Sequence, residues 1–232
     1  MPALIRVGHK GADAIVAGNT LASFDAALAA GVDMIEFDVI AAHPAGTGEL
    51  FVAHDHAALR RGGAPTLEQA LAHLWSEAFS GVALQVDLKR QGYERRVVEQ
   101  LRAAGALERY FVSSASWESN QRVRAAEPAL RVGWTVPDPL EISATFLLSQ
   151  TLGRIHRAML PGLAAARIKD GRVDALVPQW RLVTPALVQA VADVGGEIYA
   201  WTVDDAGDIR RLADMGVTGV ITNDPRLFAG LS

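Results

Sequence analysis

The chain of 232 residues contains no cysteine, which excludes both disulfides and thiolate metal sites. Any metal would therefore be held by oxygen or imidazole ligands. An excess of basic residues is missing too. The 22 Lys and Arg against 26 Asp and Glu give a net charge of −4, which argues against a nucleic-acid partner. No run reaches the roughly 18 apolar residues that cross a bilayer, so no stable membrane insertion is expected. The opening Met1-Pro2-Ala3-Leu4-Ile5-Arg6-Val7 turns polar too soon for a signal peptide, and the expected location is cytoplasmic. What is present is a large apolar reserve, 50% of the chain, with 21% charged, as in a soluble globular protein with a sizeable core.

The stretch Gly31-Val32-Asp33-Met34-Ile35-Glu36-Phe37-Asp38-Val39 stands out. At the two-residue period of a strand, Ile35, Phe37 and Val39 share one face and Met34, Glu36 and Asp38 the other. Two carboxylates on one face of an otherwise apolar strand are costly to bury unless a cation, metal or basic side chain meets them.

Eight short apolar strands can be placed: about 4–8, the 31–39 stretch, 82–88, 110–113, 130–135, 175–177, 197–203 and 217–222. Helical patterns separate them. Leu21, Phe24 and Leu28 form an apolar stripe that stops at Gly31. Thr66 with Gln69 reads as a capping box, Thr184-Pro185 as a cap before a first-turn proline, and Asp205 as the start of the last full helix. Eight strand–helix units predict a single-domain TIM (β/α)8 barrel spanning residues 1–232. Two segments break the alternation. An extra strand over 49–55 is expected as a hairpin-like excursion after the second strand. The long insert between the fifth and sixth strands, 137–172, is expected as two helices broken at Pro161.

In such a barrel the active site lies at the carboxyl ends of the strands. That placement gathers His9-Lys10, Glu36 with Asp38, His54-Asp55, Asp87 with Lys89, Trp201 and Thr222-Asn223-Asp224. Three carboxylates, a lysine and two histidines suit a divalent cation beside a phosphate. Oxygen ligands favour Mg²⁺, with Ca²⁺ or Mn²⁺ as alternatives. Lysine offers a point charge to the phosphate, and two histidines can divide acid and base work near neutral pH. Asn19 reads as both a helix cap and a mouth residue. His43, His56, His73 and His156 read as solvated or packed, and Asp55 as orienting a neighbour or capping a turn.

Gly8-His9-Lys10-Gly11, Gly18-Asn19-Thr20, Ile35-Glu36-Phe37-Asp38-Val39, Val52-Ala53-His54-Asp55, Pro65-Thr66-Leu67, Asp87-Leu88-Lys89, Trp201-Thr202-Val203 and Thr222-Asn223-Asp224-Pro225 occur in that order. In this series the chain resembles the glycerophosphodiester phosphodiesterase family over essentially its whole length. The resemblance implies a barrel enzyme, monomeric or homodimeric, that cleaves small-molecule glycerophosphodiesters to sn-glycerol 3-phosphate and an alcohol. It implies His9 and His54 as the acid–base pair and Glu36, Asp38 and Asp87 as metal ligands. It also implies Lys89 at the phosphate and Trp201 against the glycerol moiety, with Lys10 and Asn19 among the substrate-binding residues.

Three positions depart from the family's pattern. Lys10 replaces the usual arginine, Gly18 the usual glutamate before Asn-Thr, and Asp87 a glutamate ligand one methylene longer. Asp-Leu-Lys also occurs in sphingomyelinase D-like barrels, so phospholipase D-like or lysophospholipase D-like cleavage of an acylated diester is the alternative among enzymes. The apolar 140–165 segment would then line an acyl channel. A non-catalytic barrel binding a phosphorylated ligand is the alternative from outside enzymes.

Overall fold

The structure, a computed structural model, describes residues 3–137 and 146–230, with the side chains of residues 146–156 outside that description. Its frame is a ring of parallel strands: β1 (Ile5–Gly8), β2 (Met34–Ala41), β4 (Ala83–Leu88), β5 (Tyr110–Ser114), β6 (Arg131–Val136), β7 (Ala175–Pro178), β8 (Glu197–Ala200) and β9 (Gly219–Thr222). Pairing of Val7 with Met34 and Gly8 with Ile35 joins β1 to β2 and closes the ring. The short β3 (Leu50–Val52) lies outside it, antiparallel to the end of β2, where the extra strand was expected. Around the ring run α1 (Leu21–Ala29), α2 (His56–Arg61), α3 (Leu67–Leu74), α4 (Glu94–Ala104), α5 (Trp117–Ala126), α6 (Phe146–Lys169), α7 (Pro185–Ala192) and α8 (Ala206–Met215). This is the TIM barrel that the strand–helix alternation predicts.

Every residue of β2 is buried, because the strand has helices behind it and the barrel interior in front. Ile35, Phe37 and Val39 enter the layer between strands and helices, where Phe37 meets Phe24 with ring centroids 5.6 Å apart. Met34 faces inward onto Val7, Phe111, Tyr199 and Ile221. Each such large side chain contributes about 1.5–3 kcal/mol by leaving water. The interior is tight: a Cβ on Gly133 of β6 would lie 2.4 Å from Phe111 Cζ.

Local caps fix where the helices begin. Thr66 Oγ1 accepts from Gln69 N (3.1 Å) while Gln69 Oε1 accepts from Thr66 N (2.9 Å), as the capping box requires. Thr184 Oγ1 accepts from Leu187 N (3.2 Å) ahead of Pro185, and Asp205 Oδ1 accepts from Asp208 N (2.9 Å).

Two expectations need correction. The cap of α1 is Thr20, not Asn19. Thr20 Oγ1 accepts from Ser23 N at 3.1 Å, and Asn19 is turned inward instead. Among the described residues, the insert after β6 is a helix that runs unbroken through Pro161, where a break between two helices was expected. Leu160, Ala164 and Ile168 are buried at four-residue spacing, so one apolar stripe crosses the proline without losing phase. Burial along that stripe outweighs a proline penalty of about 3 kcal/mol. Residues 138–145, the front of the insert, lie outside the described residues, as do the side chains of 146–156; the expected acyl channel falls largely on them.

Candidate active site

The parallel register of β2 and β4 sets Asp38 beside Asp87, and Glu36 beside Gln85. Carboxylate oxygens of Glu36, Asp38 and Asp87 lie within 4.8 Å of one another, and all three residues are buried. Like charges facing each other on neighbouring strands repel. Lys89, two residues past Asp87, answers them: its Nζ stands 2.8 Å from Asp38 Oδ1 and 2.8 Å from Asp87 Oδ2. The other Asp87 oxygen accepts from Ser113 Oγ (2.6 Å) and Thr135 Oγ1 (3.1 Å), and Ser113 Oγ accepts from Gln85 Nε2 (3.0 Å). Thus β5 and β6 hold Asp87 in place from the side.

The β1–α1 loop holds the other two carboxylates. Lys10 N donates to Glu36 Oε2 (2.9 Å). Asn19 grips Asp38 twice, donating Nδ2 to Oδ2 (2.8 Å) and accepting from the Asp38 backbone N at Oδ1 (3.0 Å). Lys10 and Asn19 both have left-handed backbone, φ 50° and 60°, and are joined by Asn19 N to Lys10 O (2.9 Å). Such backbone costs a non-glycine residue roughly 1–2 kcal/mol, so strain is concentrated where the loop meets the carboxylates.

His9 directly follows β1, with Nδ1 2.6 Å from Asn223 Oδ1. The Asn223 amide is oriented by Asp204, which accepts from its Nδ2 (2.7 Å) and its backbone N (2.9 Å). With the amide oxygen toward the ring, the imidazole proton belongs on Nδ1. In the neutral ring Nε2 is then an acceptor, 3.8 Å from Glu36 Oε2. His54 follows β3 with a side chain 52% exposed, its Nδ1 3.4 Å from Asp55 Oδ2. The other Asp55 oxygen accepts from Ala58 N (2.7 Å) and starts α2, so Asp55 both orients its neighbour and caps the helix.

Lys10 Nζ lies 3.8 Å from Asp13 Oδ2, while Asp13 Oδ1 accepts from Gly18 N at 2.7 Å. A Cβ at Gly18 would stand 2.5 Å from that oxygen. Asp13 thus ties the two positions together: its carboxylate fills the space beside Gly18 and faces Lys10. Trp201 packs against the barrel interior, donates Nε1 to Val177 O (2.8 Å), and lines a separate cleft with Trp180 and Asp204.

Electrostatics divide the site. Burial pushes the Glu36 carboxyl well above the usual range, with Asp38 adding to the effect and Lys89 opposing it. Burial also raises Asp38, but the charge and hydrogen bond of Lys89 outweigh it and leave Asp38 at about 2. Burial would lower Lys89; Asp87, Asp38 and Glu36 together hold it well above the ordinary lysine value. His9 is lowered by burial, partly offset by Asn223, so the ring is neutral near pH 7.

All nine residues singled out from sequence lie at or beside the mouth, with Glu36, Asp38, Asp87 and Lys89 in contact and His54 at its open edge. Sequence reasoning missed Asp13, Asp204 and the role of Asn223, whose Asn223-Asp224-Pro225 run reads equally well as a turn. Of the other histidines, His56 Nε2 meets Ala41 O (3.1 Å) and His73 Nε2 meets Asp25 Oδ1 (2.8 Å). The His156 side chain lies outside the described residues.

Closed ring and acidic centre together define an α/β-barrel enzyme with its site at the carboxyl ends of the strands. The model of the glycerophosphoryl diester phosphodiesterase family matches residues 9–61 and 49–227, and the chain belongs to that family. It is 25% identical over 257 residues to a glycerophosphodiester phosphodiesterase of Caldanaerobacter subterraneus subsp. tengcongensis, covering 97% of this chain and 96% of the relative. Over 174 residues it is 31% identical to a glycerophosphodiester phosphodiesterase of Arabidopsis thaliana, covering 72% of this chain and 46% of that protein. The chain thus spans about half the length of the plant relative. An Oleispira antarctica phosphodiesterase, solved in complex with the product sn-glycerol-3-phosphate, superposes with a TM-score of 0.70 at 20% identity, covering 95% of this chain and 93% of that one. Among the described residues no helix is long and apolar enough to cross a membrane.

Proposed function

We propose that the chain is a metal-dependent glycerophosphodiester phosphodiesterase that releases sn-glycerol 3-phosphate and an alcohol. The observation that carries this reading is the buried Glu36, Asp38 and Asp87 trio, with oxygens within 4.8 Å of one another, in a chain of this family. The trio fits a divalent cation on three counts. Asp38 Oδ1 is fully buried and, among the described residues, meets no positive group but Lys89 Nζ at 2.8 Å. The ligand atoms are all hard oxygens, which suit Mg²⁺ first and Ca²⁺ or Mn²⁺ next. Three carboxylates against one lysine also leave excess negative charge that a cation would offset.

Held by these three side chains, the cation would supply fixed positive charge to a non-bridging phosphate oxygen. The protein's own groups account for the rest. Lys89 and Lys10 bring positive charge to the phosphate, and the barrel interior keeps that charge poorly screened. His9, neutral and with Nδ1 held by Asn223, presents Nε2 to take a proton from the attacking oxygen. His54, half-exposed after β3, protonates the alcohol oxygen as its bond to phosphorus breaks. Trp201 packs on the glycerol moiety.

Purified protein with Mg²⁺ should release sn-glycerol 3-phosphate from glycerophosphocholine or glycerophosphoinositol, and chelator should stop the release. Replacing either histidine by alanine should slow it by roughly 10²–10⁴-fold. An undiminished rate in chelator, or in the His9→Ala, His54→Ala double variant, refutes the reading.

A further inference from the structure

We propose that the cleft beyond His54 seats the leaving alcohol and selects hydroxyl-rich alcohols, uncharged or anionic, over those bearing an ammonium group. The inference rests on the hydrolytic reading above and adds a substrate preference to it. The cleft has a volume of about 400 Å³ and runs between the β1–α1 loop and α2, with Lys10, Asp13, His54, Arg61, Gly62 and Gly63 among its walls. That volume is at the small end of the roughly 300–1,000 Å³ of ordinary ligand sites.

Position comes first. Lys10 and His54 belong to the cleft and to the mouth alike, whereas none of Glu36, Asp38 and Asp87 lines it. A phosphodiester has two arms that diverge from phosphorus. The arm whose oxygen takes a proton from His54 leaves on His54's side, into this cleft. Trp201 lines a different one, with Trp180 and Asp204.

The chemistry of the walls then sets the preference. Asp13 is the single acid lining the cleft, and both its oxygens are engaged: Oδ1 by Gly18 N at 2.7 Å, Oδ2 facing Lys10 Nζ at 3.8 Å. No Phe, Tyr or Trp ring lines the cleft. A choline or ethanolamine nitrogen would find neither a free carboxylate nor such a ring face there. It would instead face Arg61, which is exposed and which no carboxylate pairs among the described residues. The five N–H donors of the same guanidinium suit hydroxyl and phosphate oxygens. A polyol is thus met by donors, an anionic group by charge as well, and an ammonium by repulsion.

The test compares glycerophosphoinositol with glycerophosphocholine, since both release sn-glycerol 3-phosphate and one assay reads both. With the Mg²⁺-loaded wild type, kcat/KM should be at least about tenfold higher for the inositol diester. Arg61→Glu should bring the ratio near unity, while Arg61→Gln falls between; circular dichroism checks that both variants are folded. A wild-type ratio below tenfold, or one that Arg61→Glu leaves unchanged, overturns the proposal. If neither diester is cleaved, the hydrolytic reading fails, and calorimetric binding of the two diesters to the Mg²⁺-loaded protein still decides the subsite. Tighter binding of the inositol diester that Arg61→Glu removes sustains it, and equal affinity overturns it.

Discussion

Glu36 and Asp38 sit two residues apart on β2, yet their surroundings treat them in opposite ways. Lys89 holds Asp38 ionised, with its pKa at about 2, while burial and the neighbouring carboxylates hold Glu36 well above its ordinary value. The consequences for metal-free stability have opposite signs. A depressed carboxylate stabilises the fold above its unfolded pKa, near 4, and the gain is lost as pH falls toward 2. For Asp38 that gain is on the order of 2 kcal/mol. A raised carboxyl works the other way: as pH climbs past the unfolded value of Glu36, the fold resists an ionisation that the unfolded chain accepts. Glu36→Gln should therefore raise the melting temperature of the chelated protein at pH 7 while abolishing tight divalent binding. A lower melting temperature in chelator would show that the electrostatic assignment is wrong.

His9 supplies a second case at this scale. Asn223→Leu keeps the volume but removes the acceptor for Nδ1–H, so the ring loses its fixed tautomer. The expected result is a fall in kcat of roughly 10²-fold with little change in KM, measured by steady-state kinetics. A change confined to KM would place Asn223 in substrate binding instead. The carboxylates and Lys89 were legible in the sequence because strand alternation puts i and i+2 on one face. Asn223 and Asp204 were not, because a contact between residues 214 apart appears only when the last strand closes on the first.

Among the elements, those with short-range causes were the most legible. Thr66, Thr184 and Asp205 each cap a helix through the third residue onward, an arrangement that a few residues determine. The cap role expected of Asn19 and the break expected at Pro161 fail for a shared reason. Tertiary contacts overrode local propensity, turning Asn19 inward to Asp38 and carrying a helix through Pro161. Barrel geometry also imposes limits that sequence hides. Gly133 lies in β6 where Phe111 from β5 crosses the interior, with no room for a methyl group. Gly133→Ala should cost about 1–3 kcal/mol in urea unfolding. A neutral effect would mean that the interior is looser than its packing indicates.

At the scale of the molecule, closure of the ring brings residues from β1, β2 and β4 and from the β3–α2 segment to one mouth. Eight alternating units made the barrel readable before any contact was known, and the family motifs fell at the strand ends where a barrel places its chemistry. What periodicity could not supply was the depth of the mouth's supports: Ser113 and Thr135 behind Asp87, Asp13 beside Gly18. They surround the cluster of like charges on which the proposed cation site rests. The most direct measurement is therefore Mn²⁺ binding followed by the loss of the free-ion electron paramagnetic resonance signal. Wild type should take up one ion per chain, Mg²⁺ should compete for it, and a Glu36→Gln, Asp38→Asn double variant that remains folded should take up none. Uptake by that variant equal to wild type would contradict the account.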